Sequence, residues 1–273
     1  MRSKFASVDG VRMRWEEQGE GAPVVLLHGI PTSPSLWRHV VPQLQGARVL
    51  AWEMVGYGES IPEGRDRDIS VARQAEYLAA WMRQLGLGPA ILVGHDLGGG
   101  VAQIVAVRYP ELVRGLVLTN CIAYDSWPIL SAQIVKRLGF LVERLPLVAL
   151  RMGLGLLMLR GHDDLRCAWE SLGRHYKPYA AHGGTTALVR QARSLHTRDT
   201  LAVTGRIPDL DLPARLVWGA ADQFLEIGYG YRLAYELHAP MDRIEGGKHF
   251  VPEDHADRVA NAVNELLQAV RPG

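Results

Sequence analysis

Val93-Gly94-His95-Asp96-Leu97-Gly98-Gly99-Gly100 sets the architecture of this chain. Ahead of it, Ala90-Ile91-Leu92-Val93 is a short apolar run of the kind that forms a buried strand. Behind it, Val101 to Tyr109 reads as a helix halted by Pro110. A strand that turns directly into a helix through small residues is a nucleophile elbow. Gly94 and Gly98 flank the middle residue because a side chain at either would clash where strand and helix close on each other. The elbow projects its middle side chain beside a helix N-terminus, where unpaired N–H groups favour an anion. In the familiar form of this turn that side chain is serine; here it is Asp96.

The neighbouring segments extend one rhythm. Lys4 to Val8 and Val11 to Glu17 flank an Asp9-Gly10 turn, which predicts an opening β-hairpin. Ala22 to Leu27, Arg48 to Glu53 and Leu116 to Thr119 are further strands. A helix capped by Ser70 sets Val71, Ala75, Leu78, Met82 and Leu85 on one face and stops at Gly86. Strands alternating with amphipathic helices make a mostly parallel central sheet with helices on both faces. From about Asp125 to Ile207 the strands lapse, and helices are expected over Ile129 to Arg144, Leu147 to Arg160, Asp163 to Leu172 and Thr185 to His196. Leu212 to Trp218 restores the strand pattern, before a helix from Ile227 to Leu237, a strand from Met241 to Ile244 and a closing helix from Phe250 to Val270.

With this elbow and this rhythm the chain resembles the α/β-hydrolase superfamily, in its aspartate-nucleophile branch of epoxide hydrolases and haloalkane dehalogenases. The resemblance implies an α/β-hydrolase fold with an inserted helical cap, residues 1–124 and 208–273 forming the core and 125–207 the cap. It also implies a triad in the order nucleophile, acid, histidine. Asp222, in Trp218-Gly219-Ala220-Ala221-Asp222, follows a strand end. His249, in Gly246-Gly247-Lys248-His249-Phe250, lies between the last strand and the last helix. Both fall where the family places its acid and its base. Asn120 stands at the alternative acid position of some members and cannot ionise. The backbone N–H groups of Ile30, in His28-Gly29-Ile30-Pro31, and of Leu97 are expected to form the oxyanion hole, with Pro31 holding Ile30 extended. His28 and His95 are expected to pack and hydrogen-bond rather than act as bases.

Aspartate in place of serine changes the chemistry. A carboxylate is anionic at neutral pH and attacks without a base, so it suits displacement at saturated carbon rather than acyl transfer. The product is an alkyl ester on Asp96, which water activated by His249 would hydrolyse. Haloalkane dehalogenases usually place Trp after the nucleophile, and many place Asn within the His-Gly-x-Pro motif; this chain has Leu97 and Ile30 there. The expected activity is therefore the opening of apolar epoxides to vicinal diols. Dehalogenation by the same triad, or ligand binding without catalysis, are the alternatives. An epoxide oxygen must be protonated as the ring opens. The family usually supplies cap tyrosines for this, one of them in a Tyr-Arg pair that is Val189-Arg190 here. Tyr176 and Tyr179, in His175-Tyr176-Lys177-Pro178-Tyr179, are then the candidate acids, with packing of cap against core as their other reading. Tyr124, His175 and His196 are the remaining donors near the insertion. Neither a metal nor an organic cofactor is implied.

Composition sets outer bounds. The 273 residues carry a formal net charge of +1, with 48% hydrophobic and 22% charged residues, and give no reason to expect nucleic acid or an anionic membrane as a partner. Cys121 and Cys167 offer neither a disulfide framework nor a metal spacing, and Met1-Arg2-Ser3-Lys4-Phe5 lacks a signal-peptide core, so a cytoplasmic protein is expected. The apolar stretch Leu138 to Leu159 is interrupted by Glu143, Arg144, Pro146 and Arg151, which predicts a helical pair rather than a membrane span. Most of its side chains are expected to pack, and a few to face a small, uncharged substrate. Homo-oligomerisation is left open.

Overall fold

A computed structural model describes residues 1–270. Its hairpin, β1 (Arg2–Val8) and β2 (Val11–Gln18), turns at Asp9 and Gly10, both at positive φ (48° and 75°), the conformation that tight hairpins require. Next come β3 (Ala22–Leu27), β4 (Ala47–Glu53), α1 (Val71–Gln84), β5 (Ala90–Asp96), α2 (Leu97–Arg108) and β6 (Val113–Cys121). The eight-stranded sheet runs β1-β2-β4-β3-β5-β6 and is completed by β7 (Ala214–Gly219) and β8 (Met241–Ile244). The hairpin and its junction with β4 are antiparallel, and every pairing from β4 to β8 is parallel. Every residue of β5 is buried, as a central parallel strand covered on both faces must be.

Strand order reverses between β3 and β5, because β4 lies on the outer side of β3 while β6 follows β5. In open α/β sheets ligands bind at such a switch point, beyond the carboxyl ends of the strands. β3 ends at Leu27 and β5 at Asp96, so the loop carrying His28 to Pro31 and the elbow face each other across that crevice.

Between β6 and β7 the chain is helical: α3 (Leu130–Arg137), α4 (Gly139–Val142), α5 (Leu147–Gly161), α6 (Leu165–His182), α7 (Gly184–Arg193) and α8 (Arg198–Thr204). The helix expected from Ile129 to Arg144 is broken at Leu138. A Cβ on Gly139 would lie 2.6 Å from Val189 Cγ1, so the chain bends there to bring α4 against α7. The helix expected to end at Leu172 instead runs to His182, through Pro178. Proline forgoes one helical hydrogen bond, but Pro178, His175 and Tyr179 are all buried, and that burial offsets the loss. Gly183, at φ 117°, then ends α6. After β7 come α9 (Ile227–Glu236), β8, and a closing segment divided at His255 into α10 (Val251–Asp254) and α11 (Ala256–Ala269). No helix of the described residues is long and apolar enough to cross a membrane.

Candidate active site

Asp96 joins β5 to α2 at φ 51° and ψ −121°, a conformation costing a non-glycine residue on the order of 1–3 kcal/mol. Three glycines in the first turn of α2 cost about 1 kcal/mol each relative to alanine. Packing explains why they are present. A Cβ on Gly98 would lie 2.1 Å from the Leu27 carbonyl oxygen, and one on Gly99 would lie 2.2 Å from Cys121 Cβ. Only bare backbone lets the helix start this close to β3 and β6, and that closeness holds Asp96 in its strained turn.

The loop after β3 passes over the carboxylate. Ile30 N–H donates to Asp96 Oδ2 at 2.8 Å, and the Leu97 N–H also hydrogen-bonds this carboxylate. The two donors expected to form an oxyanion hole thus already hold this carboxylate, with Ile30 on Oδ2. Burial pushes Asp96 up to about 6 even though His249 and these two N–H groups favour the anion.

The other two polar side chains arrive from β7 and β8. Asp222 follows β7, and its Oδ1 accepts from Phe224 N–H at 2.8 Å and Leu225 N–H at 3.1 Å. Its Oδ2 lies 2.9 Å from His249 Nδ1. Burial opposes both ions, but their mutual attraction outweighs it, so Asp222 sits below its ordinary range and His249 above. The Asp96 charge further supports the His249 imidazolium. The backbone N–H groups of His249 and Phe250 both donate to the Gly161 carbonyl at the end of α5, which ties the histidine loop to the helical insertion.

Asn120 belongs to this arrangement although it cannot ionise. Its Nδ2 donates to Asp222 Oδ2 at 2.6 Å, and its Oδ1 accepts from Gly219 N–H at 3.0 Å. His28 and His95 are neutral packing residues. Burial drives each down to about 3; His28 Nε2 accepts from Met54 N–H, and His95 Nε2 donates to the His249 carbonyl.

Asp96, Leu97 and His249 line a cavity of about 450 Å³ whose remaining wall is almost wholly apolar, with contributions from Ile122, Leu154 and Leu195. Neither tyrosine expected as ring-opening acid lines it. Tyr179 is buried with its hydroxyl donating to Gln191 Oε1 at 2.6 Å, and the Tyr176 hydroxyl donates to the Leu147 carbonyl at 3.3 Å. The length of α6 is the physical reason: continuing past Leu172, it turns Tyr179 towards α7 and Tyr176 towards the start of α5. Tyr124 is bonded to Glu236, His196 to Lys136, and His175 to Glu253. Among the side-chain donors on the wall, Trp127 is committed to Thr200 and Thr185 to the Glu143 carbonyl, leaving Ser131, Arg160 and His249.

A second polar cluster, one the sequence does not announce, lies beside the site. Glu253 of α10 is buried against His162 (3.2 Å), His175 (3.2 Å) and Arg38, and His162 Nδ1 also meets Asp254 at 2.9 Å. Burial works against the His162 imidazolium, but Asp254 and Glu253 outweigh it and lift it to about 9. The His162 ring stacks on Phe250 at 4.5 Å, and Phe250 meets the His249 ring edge-on at 5.0 Å.

Residues 22–256 match the alpha/beta hydrolase fold family. The bifunctional epoxide hydrolase 2 of Sus scrofa is 38% identical over 130 residues, 46% of this chain and 23% of that protein. The haloalkane dehalogenase of Agrobacterium fabrum is 38% identical over 125 residues, 44% of this chain and 40% of that protein. The matched segments therefore span less than half the length of either curated relative. The crystal structure of an alpha/beta hydrolase fold protein from Burkholderia ambifaria superposes with a TM-score of 0.90 at 25% identity, over 96% of this chain and 97% of that one.

Proposed function

This chain belongs to the α/β-hydrolase family, and on that premise we propose that it is an epoxide hydrolase working through a covalent alkyl ester on Asp96. The observation that carries the reading is the grip of the Ile30 N–H on Asp96 Oδ2 at the base of an apolar cavity. With Oδ2 held, Oδ1 is the free nucleophilic oxygen. Oδ1 displaces the ring oxygen from a saturated carbon, and Oδ2 becomes the ester carbonyl oxygen without leaving the Ile30 N–H. His249, oriented through Nδ1 by Asp222, then takes a proton from water as that water adds to Asp96 Cγ. The negative charge of the tetrahedral intermediate develops on Oδ2, where the Ile30 and Leu97 N–H groups stabilise it. Collapse releases the diol, and Asp96 keeps one oxygen from water.

The ester also prepares its own base. While Asp96 is ionised it favours the His249 imidazolium, and alkylation removes that charge. The neutral imidazole fraction therefore rises when water must be activated. Helices α3 to α8 act in this scheme as a cap over 125–207 that keeps bulk water from the ester. The proton for the ring oxygen comes from the donors left on the wall, not from a phenol.

A second reading, hydrolysis of a carbon–halogen bond, is favoured by one observation: among the described residues no tyrosine faces the cavity, and a departing halide needs no proton. The Trp127 indole N–H, which could cradle a halide, is instead bonded to Thr200 at 2.8 Å. A single turnover in heavy-oxygen water, with enzyme in excess, tests the shared mechanism. The first-turnover product should carry ordinary oxygen and the Asp96 peptide the label. Label appearing directly in the product would mean that water attacks substrate without an ester. Styrene oxide and a bromoalkane offered side by side then decide the leaving group.

A further inference from the structure

The helical insertion leaves many of its apolar side chains outside both the core and the cavity. α3 exposes Leu130 (72%) and Ile134, Leu138 follows just past its end at the same spacing of four, and no residue of α3 is buried. α4 adds Phe140 and Leu141, and α5 exposes Val148, Met152 and Leu156 (69%), again four apart. Large contiguous apolar surfaces of this kind mark a contact with something else. The cavity opens onto them: Leu145 and Leu156 are exposed and also line it, and α3 contributes Ser131, Ala132 and Val135 to its wall.

Charge identifies the occupant. Over residues 129–162 the basic side chains are Lys136, Arg137, Arg144, Arg151 and Arg160, and the single acid is Glu143. Glu143 is itself paired with Arg193 at 2.9 Å, and none of the five cations meets a side-chain carboxylate among the described residues. The net charge of +1 for the whole chain conceals this local excess. A second copy is a poor occupant, because a two-fold interface sets the same patch on itself and would press these cations together. An apolar face with basic residues beside it suits a surface of anionic lipid.

We propose that α3, α4 and α5 seat the protein on an anionic lipid surface, with the cavity mouth turned towards the acyl chains. Since no described helix is long and apolar enough to cross a bilayer, the insertion lies on it. The seat does not depend on the reaction; that an apolar substrate enters directly from lipid rests on the function proposed above. The expectation of no membrane partner, drawn from overall charge, is then replaced by one drawn from its distribution.

Flotation with vesicles of phosphatidylcholine alone, or of phosphatidylcholine mixed with phosphatidylglycerol, tests the seat without any turnover. The protein should float with the mixed vesicles, and less so as salt rises. Arg137→Glu, Arg144→Glu and Arg151→Glu should each weaken partitioning about fivefold or more. The double variant Ile134→Glu with Met152→Glu should weaken it at least about tenfold. None of these residues lines the cavity, so turnover of a small water-soluble substrate should persist and vouch for the fold. Equal flotation of wild type and variants, salt-independent binding to phosphatidylcholine alone, or no flotation would each overturn the proposal. A lipid-free dimer that the double variant dissolves, in a protein that does not float, would assign the face to a second copy.

Discussion

Asn120 Nδ2 donates to Asp222 Oδ2 at 2.6 Å, on the same oxygen that orients His249. Hydrogen bonds to a charged group contribute about 1.5–3 kcal/mol. Asn120→Ala should therefore slow ester hydrolysis roughly ten- to a hundredfold. Formation of the ester, which does not use His249 as a base, should change far less. Rapid-quench measurement of alkylation and of ester decay separates the two steps. An equal loss in both would mean that Asn120 merely supports the fold.

Gly29 and Asp96 approach so closely that a Cβ on Gly29 would lie 2.2 Å from Asp96 Oδ2. Gly29→Ala must displace either the carboxylate or the loop, and either movement breaks the Ile30 contact. Losing one oxyanion donor costs about a hundredfold or more in turnover. Thermal unfolding measured alongside should stay near that of wild type, since the loop and not the core must move. Wild-type rates in Gly29→Ala would remove the hole from the mechanism.

The pH dependence follows from two groups shifted upward. Alkylation needs the Asp96 anion, so its rate should rise as pH passes about 6. Ester hydrolysis needs neutral His249, whose value is raised, so that step should rise at higher pH. Because the ester has lost the Asp96 charge, the midpoint for hydrolysis should lie below the His249 midpoint in the free enzyme. Imidazole NMR titration of the free enzyme, compared with the pH profile of ester decay, checks the order. Reversed midpoints would sink the proposed coupling.

The same shift makes Asp96 a stability liability. Its folded value, about 6, stands above the ordinary 3.8, so the protonated form favours the fold. That contribution is fully present below the ordinary value and is lost as pH rises through about 6. At pH 8 the penalty is on the order of 3 kcal/mol. Asp96→Asn keeps an acceptor for Ile30 N–H but carries no charge. It should abolish turnover, raise Tm by several degrees at pH 8, and raise it less at pH 5. A gain independent of pH would point to relief of backbone strain instead.

Fold and site were legible in the sequence to different degrees. The elbow could be read because only bare backbone fits at Gly94 and Gly98, where strand and helix close together, and the strand expected over Met241–Ile244 is present with those bounds. Asp222 and His249 could be placed because both follow strand ends, where side chains converge. Tyr176 and Tyr179 could not be placed, because helix propensity set α6 to end near Leu172 while burial of Pro178 and Tyr179 carried it a further ten residues, to His182. Asn120 was legible only as a position that cannot ionise, because its part is to hold a carboxylate 102 positions away. The exposed leucines of α3 to α5 were unreadable for a simpler reason: hydrophobicity predicts burial but does not name what buries it.

Glu253 unites Arg38, His162 and His175 in a buried cluster next to the histidine loop. Glu253→Gln would remove the carboxylate these three groups share, leaving His162 with Asp254 and Arg38 with Glu170, and breaking a buried ion pair from one side costs about 3–5 kcal/mol. The cluster also sets an alkaline limit. His162 is raised from 6.5 to about 9, so its contribution is complete below 6.5 and lost as pH rises through about 9. Glu253 is held well below its ordinary range, so its share is lost only in strong acid. Wild-type Tm should therefore fall between pH 7 and 10, while Glu253→Gln starts lower and falls less over that interval. Because the His162 ring stacks on Phe250, which in turn packs against His249, ester decay should slow in the variant more than alkylation does. Parallel Tm curves for the two proteins across that range would show that the His162 charge does not depend on Glu253.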